Sequence, residues 1–418
     1  MARPEAASQS SRSPFSALFG GDTFTSLALP QYRYLLAGTA LSQIASWMEE
    51  VARGWLVLQL TGSPFQLGLL GFIRGFSQLL VSPFAGVLAD RLDRRRLAAV
   101  TQMVPAVDAL IIAILVGSGQ IAMWQLYPLV AISGVTGAVN VPTRQVLVYD
   151  VAGGENIANA IALNSVVANI ARIIAPAVGG VIIGAVGISA SYYAQVVFFL
   201  LATGATFMLR PITRAEPVRA PLWRSLREGV SYVRHDPTMA RLVLLNVIPN
   251  MLIYPYVALI PVFARDVLNT GSAGYGILLT GVGFGSIPGG LFVAGMSGSR
   301  RKGLTMALAA CVYMSMVFLF TLSTVFALSF AILVVAGIGW SMMVTLNQTL
   351  LQLNVEDAFR GRVLSLYTMA GGFTPFGSLA MGAAASHFGV QTAVAAFAVV
   401  ALGLAVTLGL GSARIRRL

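Results

Sequence analysis

Charge is what this sequence has least of. Only 10% of its 418 residues are Asp, Glu, Lys or Arg, against roughly 25% in a soluble globular domain. A chain so poor in charge cannot face water all round. Cysteine is nearly absent as well: the one thiol, Cys311, sits in the apolar run MALAACVYMSMVFLF, which excludes a disulfide framework and a thiolate metal centre. Two histidines, His235 and His387, are too few and too far apart for a metal centre, so no metal or cofactor is expected. His387, near a helix end, reads as structural. No G-x-x-x-x-G-K-[ST] loop is present, so ATP is not the direct driver of any work done by this chain. Nor does a Ser/His/Asp or metal-ligand constellation stand at a membrane face, which argues against an enzyme.

What is there is apolar. Hydrophobic residues make up 57% of the chain, mean hydropathy is +0.80, and lipid is the natural solvent for that excess. The net charge of +12 and pI near 10.4 do not point to nucleic acid, because the basic residues are scattered between apolar runs rather than gathered on one domain. Residues 1–30 are rich in Ser, Ala and Pro, with no apolar run long enough for a signal peptide. The first apolar span, from Tyr34, reads as a retained helix.

A helix needs about 20 mostly apolar residues to cross the hydrocarbon core. Runs between charge clusters give twelve: 34–59, 65–88, 97–118, 121–143, 158–186, 189–209, 242–264, 273–297, 303–321, 325–347, 363–386 and 390–411. Cytoplasmic loops should hold the excess of Lys and Arg. With the amino terminus inside, the cytoplasmic side receives 23 of the 27 basic residues. The external loops keep Arg265 alone, beside Asp266, and Arg53, Arg74 and Arg172 fall inside helices. A wrong span count would scramble that alternation. The expected fold is therefore an all-α membrane protein with twelve transmembrane helices and both termini cytoplasmic.

Six spans precede a long basic segment and six follow it. The expected organisation is a cytoplasmic tail at 1–33, a six-helix half at 34–209, a basic cytoplasmic linker at 210–241, a second six-helix half at 242–411 and a basic cytoplasmic tail at 412–418. Within the linker, LWRSLREGVSYV places Leu222, Leu226, Val230 and Val233 at helical spacing, as in an amphipathic helix lying on the inner membrane face. The halves echo each other. Span 4 leads through PTRQ to Asp150 and Glu155 and then to Pro176 and Gly179–Gly180; span 10 leads through TLNQ to Glu356 and Asp357 and then to Pro375 and Gly377. Six-helix repeats about an axis along the membrane normal are a transporter plan, with the substrate site at their interface.

Between spans 2 and 3 stands Gly86-Val-Leu-Ala-Asp90-Arg91-Leu-Asp93-Arg94-Arg95-Arg96. This resembles the major facilitator superfamily signature G-x-L-a-D-R-x-G-R-R at the loop where that family carries it, with Asp93 in place of the second Gly. Ala175-Pro176-Ala-Val-Gly179-Gly180 resembles the family's exporter-associated G-P-x-x-G-G element, although packing by small residues explains it about as well. SQIASWMEEVARGWLVLQLTGSP, VNVPTRQ, NAIALNSVVANIARIIAP and SLREGVSYVRHDP narrow the likeness to the branch holding enterobactin exporters and related bacterial efflux proteins. The resemblance implies the major facilitator fold, transport of a small molecule, and a cytoplasmic gate at Gly86, Asp90, Arg91, Arg94, Arg95 and Arg144. From the residues alone, Asp90 ends a helix at the cytoplasmic face and can meet Arg91, Arg144 or a helix N-terminus. Arg94 to Arg96 also serve as topology signals.

Ionisable residues inside the membrane cost several kcal/mol unless paired or hydrated, so each is a functional candidate. Glu49, Glu50, Arg53, Arg74, Asp108 and Arg172 all belong to the first half, and the six spans of the second half hold no acid or base. At about 1.5 Å per residue, Glu49 and Arg74 both lie ~15 Å from the external ends of spans 1 and 2. One of the two glutamates can therefore meet Arg74, and Arg53 is placed for a pair with Glu49 four residues earlier. Asp108 and Arg172 lie ~17–20 Å from the cytoplasmic ends of spans 3 and 5. A static network that only fixes helix packing is the competing reading. Trp47, Trp55, Tyr254, Tyr256, Phe284 and Trp340 are candidates to line a cavity, or to face lipid.

These readings converge on a monomeric secondary transporter in a bacterial inner membrane, exporting a small, partly apolar molecule (a siderophore-like metabolite or drug) by proton antiport. An importer or uniporter of the same fold is the alternative. A lipid scramblase or membrane enzyme is less favoured.

Overall fold

The computed structural model describes residues 21–210, 230–296, 301–357 and 359–418. Among them every regular element is helical and no strand occurs. In chain order, α1 is Pro30–Thr61, α2 Pro64–Arg91, α3 Arg94–Gly117, α4 Met123–Ala185 and α5 Ile188–Phe207. After the linker come α6 (Pro237–Ile248), α7 (Tyr256–Val262), α8 (Gly271–Gly295), α9 (Lys302–Leu322) and α10 (Phe326–Asn354). The chain ends in α11 (Arg360–Met369), α12 (Thr374–Phe388), α13 (Val390–Ala405) and the short α14 (Ala413–Arg416). Nine helices among the described residues are long and apolar enough to cross a membrane. Of the predicted amphipathic helix, 222–233, residues 222–229 lie outside the described residues; 230–235 are helical.

Local chemistry sets the ends. Pro30 and Pro64 occupy the first turns of α1 and α2, where a missing N–H costs nothing. Gly62 closes α1 at φ 62°, a left-handed position suited to glycine, and its N–H returns to the Leu58 carbonyl at 2.9 Å. Asp93 caps α3, accepting from the Arg95 and Arg96 amides at 2.9 and 3.2 Å. The Asp in place of the signature's second Gly thus starts a helix.

Two boundaries differ from the sequence reading. Spans 4 and 5 reach further towards each other than predicted: α4 is two helical limbs that meet at a corner at Gly153, whose backbone (φ 71°, ψ 167°) is not helical. The polar stretch between the spans has enough helix-forming residues to continue, and glycine alone makes the corner. The predicted spans at 242–264 and 363–386 are composite. The first runs from α6 through π turns at Pro249–Ile253 and Phe263–Val267, where prolines remove amide donors. The second joins α11 to α12 through a 3-10 turn, Ala370–Phe373, containing Gly371 and Gly372.

Helices early in the chain pack chiefly on one another, as do the late ones, and two seams join the sets: α2 with α12, and the limb of α4 after Gly153 with α8. Both are glycine-on-glycine contacts. A Cβ on Gly180 would stand 2.5 Å from the Ser272 carbonyl oxygen and 3.0 Å from Gly276 Cα; one on Gly382 would stand 2.9 Å from Gly68 Cα. These seams lie towards the end of the bundle where α1 turns into α2. The outer surface is apolar, with Phe84, Trp124, Leu291 and Phe388 all more than half exposed. In a bilayer that is the face that lipid covers.

Candidate functional site

The first three charged candidates share one face region of α1. Arg53 Nη1 donates to Glu49 Oε1 at 2.7 Å and Arg53 Nη2 to Glu50 Oε2. Arg74, reaching from α2, donates Nη1 to the same Glu50 oxygen at 3.1 Å. Of the two glutamates, Glu50 is the one that meets Arg74, while Arg53 binds both. The cluster is graded in exposure: the Arg53 side chain is 10% exposed, Glu49 18%, Glu50 28% and Arg74 38%. It is supported by groups the sequence did not single out. Ser133 of α4 donates to Glu49 Oε1 at 3.1 Å, and the Tyr275 hydroxyl of α8 reaches the Glu50 carbonyl at 3.4 Å. Arg74 Nε is buried with no partner among the described residues.

Glu50, Arg53 and Arg74 line a cavity of about 760 Å³ between α1, α2, α7, α8 and the α11–α12 corner. That volume suits a drug-sized ligand. Its wall is part apolar (Leu67, Leu70, Val257) and part polar (Gln43, Asn250, Thr368). Towards the seams it is closed by Gly71, Gly75 and Ser378; at the other end Gln78, Ser82 and Thr368 are exposed at its rim.

Arg172 lies apart from that cluster. Its guanidinium sits between two indoles, 4.5 Å from the Trp340 ring centre and 5.5 Å from that of Trp47. It joins α1, the later limb of α4 and α10 by cation–π contact. Tyr254, Tyr256 and Tyr313 complete the surrounding wall. Of the aromatic candidates, Trp47 and Tyr254 line the large cavity as well, and Trp55 stacks on Tyr275 at 6.4 Å. Phe284 is half exposed on the outer surface. Asp108, on α3, faces Glu49 across a separate small cavity.

At the opposite end of the bundle the signature residues make other contacts. Arg94 forms a largely buried ion pair with Asp150 at 2.7 Å. Arg95 donates to the Phe207 carbonyl and covers its ring at 5.7 Å. Arg144 donates to Ser42 Oγ at 2.6 Å, and its Nη2 is buried without a partner among the described residues. Arg91 is exposed, and Gly86 has open space around it. The Asp90 side chain lies outside the described residues. In the other motif, Pro176 and Gly180 form the α4–α8 seam, and Gly179 faces Met48 of α1.

The profile of the transmembrane secretion effector family, a division of the major facilitator superfamily, matches residues 21–416. The chain belongs to this family. Among curated proteins it is similar to the staphyloferrin A transporter of Staphylococcus aureus, with 26% identity over 86% of this chain and 90% of that one. It is also similar to the enterobactin exporter EntS of Escherichia coli, with 23% identity over 81% of each. Among solved structures, it superposes on an inward-facing bacterial homologue of the human lysosomal transporter Spinster with a TM-score of 0.72 at 16% identity, over 93% of this chain and 98% of that one. The nucleoside transporter NupG gives 0.72 at 13% identity, over 91% of this chain and 98% of that one. The fold of this family member is that of major facilitator transporters, which are not enzymes.

Proposed function

We propose that this protein crosses a bacterial inner membrane twelve times, with both termini in the cytoplasm, and exports a small, partly apolar, siderophore-like metabolite or drug in exchange for protons. The observation that carries the reading is the Glu49–Arg53–Glu50–Arg74 cluster, three of whose members, Glu50, Arg53 and Arg74, stand in the wall of the 760 Å³ cavity. A charge network at the edge of a ligand-sized space, rather than inside sealed packing, is placed to exchange partners. In this topology the cavity faces the cytoplasm, as an exporter needs for loading, and the two glycine seams close the external side.

Alternating access then takes the form of two six-helix halves, 34–209 and 242–411, rocking about those seams. Glycine suits that movement because two backbones in contact slide without interlocking side chains. Gly86, Asp90, Arg91, Arg94, Arg95 and Arg144 form the cytoplasmic gate that must close when the halves rock. A proton and a substrate that favour different states of the carboxylate cluster are coupled by that preference alone.

The names of the relatives supply a substrate class, since one transports staphyloferrin A and the other exports enterobactin. Everted membrane vesicles, acidified inside by respiration, test the reading with metal-free enterobactin and staphyloferrin A as probes. Export by antiport predicts uptake that nigericin abolishes. Uptake indifferent to the pH gradient indicates a uniporter, and uptake seen only in right-side-out vesicles indicates an importer.

A further inference from the structure

The two adjacent glutamates face different spaces. Glu50 lines the large cavity, whereas Glu49 lines a cavity of about 20 Å³ shared with Asp108, Ser133 and Tyr192, and Arg53 lines both. The rest of the small cavity is apolar, including Pro105, Ile112, Leu126 and Val130. Its volume is enough for one water, which needs two to four polar partners to stay in a buried site. Glu49, Arg53, Asp108 and Tyr192 are the ionisable groups facing this space, from α1, α3 and α5; Ser133 faces it from α4.

Two of these groups are unsatisfied among the described residues. Asp108 Oδ2 is buried without a hydrogen-bond partner, and so is the hydroxyl of Tyr192, whose side chain is fully buried. An unmade hydrogen bond in such a place costs the desolvation of the group, and a lone carboxylate oxygen accepts but cannot donate. A proton and a water supply what both atoms lack. The water donates to Asp108 and accepts from Tyr192 or from a protonated carboxyl.

We propose that Asp108 and Glu49 form a proton-binding site across this water-sized cavity, separate from the large cavity and joined to it through Arg53. The proton passes from the Asp108 carboxyl to the water, and a proton of that water passes to Glu49 Oε1. Asp108 is left ionised and Glu49 neutral, with no other species consumed. The neutral Glu49 releases Arg53 Nη1, and the guanidinium turns wholly to Glu50. With Arg74 already on the same carboxylate, Glu50 then has less capacity to accept a donor group from a substrate. When Glu49 is ionised it takes back its share of Arg53. Proton on one side and substrate on the other thus compete through a single side chain. This division of labour rests on the antiport reading for its purpose, but the proton site is tested without transport.

The test is infrared difference spectroscopy of the purified, full-length protein in lipid nanodiscs, titrated with acid in water and in heavy water. Wild-type protein is expected to show a protonated-carboxyl C=O band that shifts on deuteration. Asp108→Asn should remove the band, Asp108→Glu should restore it at a displaced position, and Glu49→Gln should displace it. Glu50→Gln should leave it unchanged. A band that survives Asp108→Asn, or that Glu50→Gln moves and Glu49→Gln does not, overturns the proposal. If Asp108→Asn fails to fold, the displacement in Asp108→Glu and Glu49→Gln decides alone. Should vesicle transport prove independent of the pH gradient while the band behaves as stated, antiport fails and the proton site stands.

Discussion

Arg53, rather than Arg74, is the cation on which the two glutamates depend. Placed three and four residues after them, it satisfies both from the same helix, and it is the least exposed member of the cluster. Removing one partner from a buried pair costs about 3–5 kcal/mol, because the remaining charge is left without compensation. Arg53→Met should therefore reduce the yield of folded protein sharply, and adding Glu49→Gln with Glu50→Gln should recover it; thermal melts in detergent would show both. Arg74→Gln should behave differently. Glu50 keeps Arg53, so the protein should melt within a few degrees of wild type while substrate accumulation in vesicles falls at least tenfold. Equal loss of folded protein in the two arginine variants would return the cluster to a packing role. The members of this cluster were legible in the sequence because ionisable residues are scarce in apolar spans. Ser133, Tyr192 and Tyr275 were not, since single hydroxyls are common in membrane helices and nothing in the spacing marks which of them points at a charge.

At the scale of elements, the glycine seams stand at one end of the bundle and the Arg94–Asp150 ion pair at the other. The Gly180 and Gly68 positions have no room for a side chain without moving a facing backbone. Overpacking of this kind costs about 1–3 kcal/mol, and if it falls on the externally closed state alone it shifts the balance of states by about 5- to 150-fold. Gly180→Val should therefore raise external maleimide labelling of a cysteine replacing Ser378, which is buried in the other seam. Unchanged labelling would mean that the seam does not gate the external side. Arg94 and Asp150 join the start of α3 to the first limb of α4 at 2.7 Å with little solvent. A double-mutant cycle of Arg94→Gln and Asp150→Asn should give a coupling of about 1–3 kcal/mol in unfolding free energy, where a mere topology signal gives none. The sequence located most helix ends to within a few residues because hydrophobic runs end at charge, but spans 4 and 10, predicted to end at 143 and 347, run on as helix to the Gly153 corner and to Asn354. It missed how close to Gly153 both limbs of α4 run and the π turns of the seventh span. Both depend on which backbone amides find partners, a matter of tertiary packing rather than of hydropathy.

For the whole molecule, the distribution of charge and the shape of the cavity bear on orientation independently. The basic residues collect at one end of the helices, where Arg94, Arg96, Arg360 and the carboxy-terminal arginines lie, and the large cavity has its exposed rim at that same end. If that end is cytoplasmic, as the positive-inside rule requires, the described state is open to the cytoplasm and sealed outside. Single cysteines in a protein lacking Cys311 test this. Gln120 and Thr324 are exposed at the turns after α3 and α9, and cysteines there should react with an impermeant maleimide in intact cells. Arg96 and Asp357 are exposed at the other end, and cysteines replacing them should react only after the membrane is opened. A cysteine at Ser82, on the cavity rim, should follow the second pair. If the first pair is protected and the second labelled, the protein is inverted, the cavity faces outwards and loading from the cytoplasm fails with it. If Gln120 labels in intact cells but Thr324 does not, the number of crossings between them is odd. Twelve spans put six crossings between those two turns, so that single result would exclude the twelve-helix topology whatever the direction of transport.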